Sequence, residues 1–294
     1  MRDKRNYIWL NGDFFRDDSP VIGLDNRAFA YGDGFFESIH AYGTEGKHLQ
    51  LHLNRMIKSM EILGMTPPPF LTFNFLANEI QRTLNKNRIF NSARVRVTVF
   101  RNSGGLYAPN NNSVGISIQT QELDQNFYEY NSKGLVVDFY TDIRKPINLL
   151  SPIKSCNALL FVMAGQFMQQ NNLDDCILIN DQNRAVEATS SNLFALKGNN
   201  LITPPVSEGC VAGVMRSIVI NIAPTLGLKV IDSHPLDPST LLTMDELFLT
   251  NAVKGIQWIV GIKTRRYFGT VSKKLSKELN KLTFPNQFSD GFSG

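Results

Sequence analysis

The spacing of apolar positions changes along the chain, and each change marks an element. Tyr7 to Leu10 and Phe14 to Phe15 flank Asn11-Gly12, the dipeptide that favours a type I′ turn, so an antiparallel hairpin opens the fold. After the turn-rich stretch Gly23 to Asp33, Gly34 to Tyr42 reads as a strand. Between Leu49 and Leu63, residues Leu53, Met56, Met60 and Leu63 recur at helical spacing, and Gly64 with Pro67 to Pro69 ends the run. A second helix fits Thr72 to Asn85. From Ala93 to Phe100 the polar residues Arg94, Arg96 and Thr98 alternate with Val95, Val97 and Val99, as in a half-buried strand, and Val114 to Thr120 is another strand.

Gln121 to Gly134 is polar and without period, and is read as the link between two lobes. The expected division is therefore residues 1–120, a small α+β lobe, the linker 121–134, and a larger lobe, 135–294. Past Leu135 come short β-rich pieces, Leu135 to Tyr140, Cys176 to Asn180, Leu193 to Leu196, Lys229 to Ile231 and Glu246 to Thr250. Helical stretches are expected at Ala158 to Gln170, Gly213 to Ala223 and Ser272 to Leu282, and the Ser-, Gly- and Asn-rich end, Phe284 to Gly294, is expected to fray.

Composition narrows the class. The 294 residues are 43% hydrophobic and 19% charged, with 20 Phe, which excludes a disordered, collagenous or coiled-coil chain. A net charge of +4 leaves no nucleic-acid footprint and suits small anionic molecules better. Cys156, Cys176 and Cys210 are an odd number far apart, which argues for buried small hydrophobes in a reducing compartment rather than a disulfide framework. The charged start lacks a signal-peptide core and no window approaches about 18 uninterrupted apolar residues, so a cytoplasmic protein without a membrane partner is expected.

Several chemistries lose their anchor. His48 and His52 are four apart, but no His-Glu-x-x-His or cysteine cluster supports a metal, and no metal site is expected. Gly32-Asp33-Gly34 meets Glu37 where a dinucleotide fingerprint needs its third glycine, and a strand follows it. No Walker loop, nucleophile elbow or kinase signature is present. A cofactor that carries the chemistry itself is left, with the protein supplying a lysine, a phosphate cup and a carboxylate, the set that pyridoxal phosphate demands.

Four segments, in order, carry a resemblance to a known family: His52-Leu53-Asn54-Arg55, Ile153-Lys154-Ser155-Cys156-Asn157, Glu187-Ala188-Thr189-Ser190-Ser191-Asn192-Leu193-Phe194, and Gly209-Cys210-Val211-Ala212-Gly213-Val214-Met215-Arg216. With the Asn11-Gly12 hairpin and Tyr31 to Glu37 they cover almost the whole chain, which resembles the class IV aminotransferases, fold-type IV pyridoxal-phosphate enzymes. The resemblance implies a two-lobed α+β fold with a small α/β sandwich and a larger, β-rich pseudo-barrel lobe. It implies Lys154 as the catalytic lysine bound to the cofactor, an amine helped to lose its proton by apolar surroundings and a neighbouring cation. Glu187 would partner the pyridine nitrogen, with Asn192 and its polar neighbours orienting the loop. The backbone N–H groups of Val214 and Met215 at a helix start would bind the phosphate, Val211 would pack on the ring, and Arg55 and Thr250 would add phosphate contacts.

The family includes branched-chain and D-amino-acid transaminases and 4-amino-4-deoxychorismate lyase. Asn251-Ala252, followed by Lys254 where transaminases carry Glu, resembles the lyase turn, as do Gly213-Val214-Met215-Arg216 and Arg101-Asn102-Ser103-Gly104-Gly105. The D-amino-acid type's Arg-x-His trap is missing, with Gly105 and Tyr107 in its place, and so is the branched-chain type's Gly-Asn-Tyr after the lysine. Phe36-Glu37-Ser38 departs from the Thr-Thr of some lyases, and Leu106 stands where some carry an arginine. The resemblance thus implies pyruvate elimination to give 4-aminobenzoate, with amino-acid transamination as the alternative. The substrate is a small anionic amine; Tyr31, Arg96, Tyr107, Asn251 and Ala252 are its expected contacts, with Arg101 a further carboxylate partner. A homodimer is expected, in which Tyr31 and Tyr107 serve the neighbouring site. A catalytically silent relative would have lost Lys154, Glu187 or the Gly213 turn, and all three are present.

Overall fold

The computed structural model describes residues 6–288 and resolves into two compact units, residues 1–126 with 153–157, and residues 127–152 with 158–294. The first contains β1 (Tyr7–Leu10), β2 (Asp13–Arg16), α1 (Arg27–Tyr31), β3 (Gly34–Tyr42), β4 (Glu45–Gly46), α2 (Leu49–Leu63), α3 (Phe73–Lys86), β5 (Ser92–Arg101) and β6 (Val114–Glu122). Its sheet runs β2-β1-β6-β5-β3-β4, antiparallel throughout. Leu10 pairs with Asp13 across the expected two-residue turn, where Asn11 and Gly12 both hold positive φ. The alternation of β5 sends Val95, Val97 and Val99 to one face, where they pack with Met56 and Met60 of α2 and Leu76, Ile80 and Leu84 of α3. A sheet with two helices on one face results, the α/β sandwich expected of this lobe.

Short α1 falls inside the stretch read as turns. Asn26 caps it by accepting from the N–H groups of Ala28 and Phe29, and Gly32 closes it at positive φ. Gly32 is pressed by Asn157, so both its φ and its missing Cβ are required.

The second unit contains β7 (Leu135–Lys145), α4 (Leu159–Gln170), β8 (Asp175–Asn180), β9 (Ala185–Ala188), β10 (Asn192–Lys197), β11 (Asn200–Ile202), α5 (Val214–Ile222), β12 (Lys229–Ile231), α6 (Pro238–Leu241), β13 (Glu246–Asn251), β14 (Gly255–Ile262), β15 (Arg265–Arg266), α7 (Thr270–Thr283) and α8 (Pro285–Phe288). Strands β10, β13, β14, β7, β8 and β9 pair in that order, and β9 pairs back to β10, closing a six-stranded barrel. Ile177, Ala195, Leu247 and Ile259 share one apolar cluster, while Tyr140, Cys176, Leu178 and Val186 pack with Ala164 of α4. With both faces covered, β8, β9 and β13 lose the alternation that reveals a half-exposed strand. β8 and β13 are nonetheless among the strands expected from sequence, whereas β9 and the partly covered β14 are not.

Residues 153–157 group with the first unit: Phe36 N–H donates to the Lys154 carbonyl, Cys156 N–H to the Gly34 carbonyl, and Phe35 bridges Ser155. At the C-terminus, Phe284 is fully buried and residues 285–288 form a helical turn, so the fraying expected from Phe284 onward is corrected for this part. Residues 289–294 and 1–5 lie outside the described residues.

Candidate active site

In the second unit two of the four sequence segments, Glu187 to Phe194 and Gly209 to Arg216, converge. β9 and β10 form a hairpin in which Glu187 pairs with Asn192, and the Thr189 N–H and hydroxyl both donate to Asp175 Oδ1, fixing the tip. Glu187 is buried; its Oε2 accepts the Val211 N–H at 2.9 Å, and Lys145 makes an ion pair with its Oε1. Asn192 donates from Nδ2 to the Val211 carbonyl at 2.9 Å. The loop before α5 is thus tied to the hairpin by one carboxylate and one amide, both on strands.

α5 begins at Val214 with Gly213 before it, and no side chain caps that end. The leading N–H groups of a helix need partners from outside it, and the helix dipole favours an anion there. A Cβ on Gly213 would collide with Asn192 Oδ1, so a larger residue would displace the Asn192 amide from this corner. Thr250 is the register partner of Asn192 on β13, and its buried hydroxyl has no hydrogen-bond partner among the described residues. An unpartnered buried hydroxyl is costly, and it marks a place where a ligand oxygen completes the structure. A helix start without a cap, a glycine that cannot bear a side chain and an orphaned hydroxyl fit a phosphate group. Glu187 supplies the carboxylate that a pyridine nitrogen requires.

In the first unit, the Lys154 ammonium lies 4.7 Å from the centroid of the Phe36 ring, and the Arg96 guanidinium lies 3.7 Å from the same centroid. Both cations thus contact the same aromatic ring. Arg55 forks onto Glu37, with Nε to Oε1 at 2.8 Å, and His52 Nδ1 stands 2.6 Å from Glu37 Oε2. Burial would raise the Glu37 carboxyl, but the Arg55 charge and the His52 hydrogen bond overcome it and hold the pKa near about 2.

The remaining expected contacts are distributed as follows. Tyr31 and Tyr107 are both exposed, their ring centroids 5.6 Å apart. Arg27 supports the pair: it binds Asp33 at 2.7 Å, donates to the Leu106 carbonyl at 2.6 Å and lies over the Tyr31 ring. Arg101 is corrected as a carboxylate partner for substrate. It is buried and its guanidinium is spent on Asp33, Asn112 and the carbonyls of Leu63 and Gly64. Asn251 frames its own turn, accepting from Val253 and Lys254 N–H groups and donating to Ser191 Oγ, while Tyr128 donates to the Ala252 carbonyl. Cys176 and Cys210 are buried with thiols pushed by burial up to about 12, the inert behaviour of small hydrophobes, whereas Cys156 is half-exposed, which corrects the expectation that all three are buried.

The sequence did not reveal Lys145, nor that Arg55 and His52 both bind Glu37. Lys145 is buried at the end of β7 after four exposed residues, beyond a register shift that begins at Tyr140. A bulge re-aims a side chain without any change in composition, so no periodicity could have found it. Glu37 lies in a quoted segment, but its partners come from α2.

A family profile described as amino-transferase class IV matches residues 34–262. A protein of Methanocaldococcus jannaschii, provisionally assigned as a branched-chain-amino-acid aminotransferase, is 29% identical over 94% of this chain and 96% of its own. The aminodeoxychorismate lyase of Vibrio harveyi is 27% identical over 93% of this chain and 99% of its own. Among solved structures, the branched-chain aminotransferase of Thermoproteus uzoniensis superposes with a TM-score of 0.87 over 97% of this chain and 96% of its own, at 21% identity, which speaks for the fold. The profile match spans most of the chain and takes in the Lys154 segment, the Glu187 hairpin and the α5 start. The chain therefore belongs to the class IV aminotransferases, the pyridoxal-phosphate-dependent enzymes of fold type IV.

Proposed function

We propose that this protein is a 4-amino-4-deoxychorismate lyase, which eliminates pyruvate from its substrate and releases 4-aminobenzoate. In this reading the α5 start, Thr250 and Arg55 hold the cofactor's phosphate, Glu187 holds the ring-nitrogen proton, and Val211 packs on the ring. When bound, pyridoxal phosphate supplies an aldehyde for covalent attachment and a ring that accepts electrons. Lys154 is the anchoring amine and, once released, moves the protons of the reaction. Arg96, which shares the Phe36 ring with Lys154, is the cation that would meet a substrate carboxylate. Tyr31 and Tyr107 serve the site of a second copy of the chain.

The observation that carries the lyase reading is the Asn251 turn. Its two backbone hydrogen bonds and its link to Ser191 make Asn251 the frame of the β13–β14 connection, and Lys254 stands on that turn where transaminases have a carboxylate. Amino-acid transamination is the second reading, favoured by the 29% identity to the Methanocaldococcus jannaschii relative.

Purified holoenzyme given 4-amino-4-deoxychorismate alone should release pyruvate and 4-aminobenzoate in equal amounts. Borohydride reduction should label the Lys154 peptide. Glutamate formation from branched-chain or D-amino acids with 2-oxoglutarate, without pyruvate release from the chorismate-derived amine, would replace the lyase by the transaminase. A label on another lysine would overturn the assignment of Lys154.

A further inference from the structure

Glu187 does not stand alone. The Lys145 side chain is 5% exposed and the Glu187 side chain 3%, and the two form an ion pair. The ammonium also lies 5.2 Å from the centroid of the Phe161 ring. Burying an ammonium is expensive, and Glu187 already has a neutral backbone donor in Val211 N–H. A second neutral donor would hold the carboxylate's geometry as well. What the ammonium adds is charge: the Glu187–Lys145 pair is neutral as a whole, and a proton beside it feels the attraction of the carboxylate and the repulsion of the lysine.

We infer that Lys145 is a positioning residue that weakens the hold of Glu187 on the cofactor's ring-nitrogen proton and so limits how strongly the ring draws electrons. The inference rests on the reading of Glu187 as the ring-nitrogen partner. The bulge of β7 is the structural device that delivers it, because it turns Lys145 inward after residues 141–144, which are exposed. A like charge at second-neighbour distance in a buried site shifts a proton equilibrium by on the order of one to two pH units.

The test reads the proton directly. Holoenzyme reconstituted with pyridine-15N pyridoxal phosphate is titrated between pH 5 and 10, and the nitrogen chemical shift reports proton occupancy. Lys145→Met removes both charge and hydrogen bond; Lys145→Gln removes the charge and keeps a donor to Glu187, which guards against loss of folding. Both variants should retain the ring-nitrogen proton to a pH higher by about one to two units than wild type, and Lys145→Arg should restore the wild-type curve. A merely structural lysine would leave the Lys145→Gln curve on that of wild type. Identical curves, including curves in which both proteins stay protonated throughout, would overturn the inference. Glu187→Gln separates the two layers: it should lower occupancy in the wild-type background, and if it leaves the shift unmoved, the parent reading of Glu187 fails instead.

Discussion

Thr250→Val tests the phosphate cup with two effects of opposite sign. The hydroxyl of Thr250 is buried and without a partner among the described residues, so the cofactor-free protein bears its desolvation without compensation. Valine keeps the shape and removes the oxygen. An unsatisfied buried group costs about 1–3 kcal/mol, so the cofactor-free variant should be more stable by about that amount. For a chain of this size each kcal/mol is worth about 2–4 °C in Tm, and cofactor-free protein should melt several degrees higher. With pyridoxal phosphate the sign reverses. A hydrogen bond to a charged group contributes about 1.5–3 kcal/mol, so affinity should fall by about ten- to a hundredfold. Thermal melts of the cofactor-free proteins and equilibrium titrations with pyridoxal phosphate and with pyridoxal, which lacks the phosphate, measure both effects. Affinity for pyridoxal should be unchanged. A less stable cofactor-free variant would show that the hydroxyl is satisfied inside the protein, and equal affinity for pyridoxal phosphate would remove Thr250 from the cup.

Gly213→Ala makes a Cβ collide with Asn192 Oδ1, forcing Asn192 off the Val211 carbonyl; overpacking of this kind costs about 1–3 kcal/mol, and dialysis should strip cofactor from the variant far faster than from wild type. Normal retention would mean that the corner is more forgiving than its geometry. Glu37 should govern acid stability. Its carboxyl is held near about 2, below the ordinary 4.5, so its contribution is complete above the ordinary value and is lost as pH falls through the window between the two. Wild type should lose about 3 kcal/mol across that window on this account, and Glu37→Gln should be less stable at neutral pH but flatter toward acid. Parallel pH–stability curves would refute it. Arg27→Ala should free residues 104–107 from three carbonyl contacts and release the Tyr31–Tyr107 pair, seen as faster amide exchange of that loop; unchanged protection would show that the loop holds itself.

The sequence alone determined several elements that have one face in solvent. The Asn11-Gly12 hairpin, α2 from Leu49 to Leu63, and the alternation of Val95, Val97 and Val99 are local patterns, and each has the structure its period required. Glu187, Asn192, Gly213 and Thr250 were offered by the resemblance of short motifs to the family, and the structure places them on one hairpin, one helix start and one neighbouring strand. β9 and β14 are absent from the strands the sequence offered; that β9 pairs with β10 and closes the ring, and that β14 lies between β13 and β7, was decided by tertiary pairing. Tertiary structure alone decided which charges meet. Lys145 reaches Glu187 across 42 positions of sequence through a bulge, and Arg55 and His52 reach Glu37 from a helix onto a strand. Periodicity reports which side of an element is apolar; it carries no information about which distant polar groups share the buried side, because that is settled by the packing of one element against another.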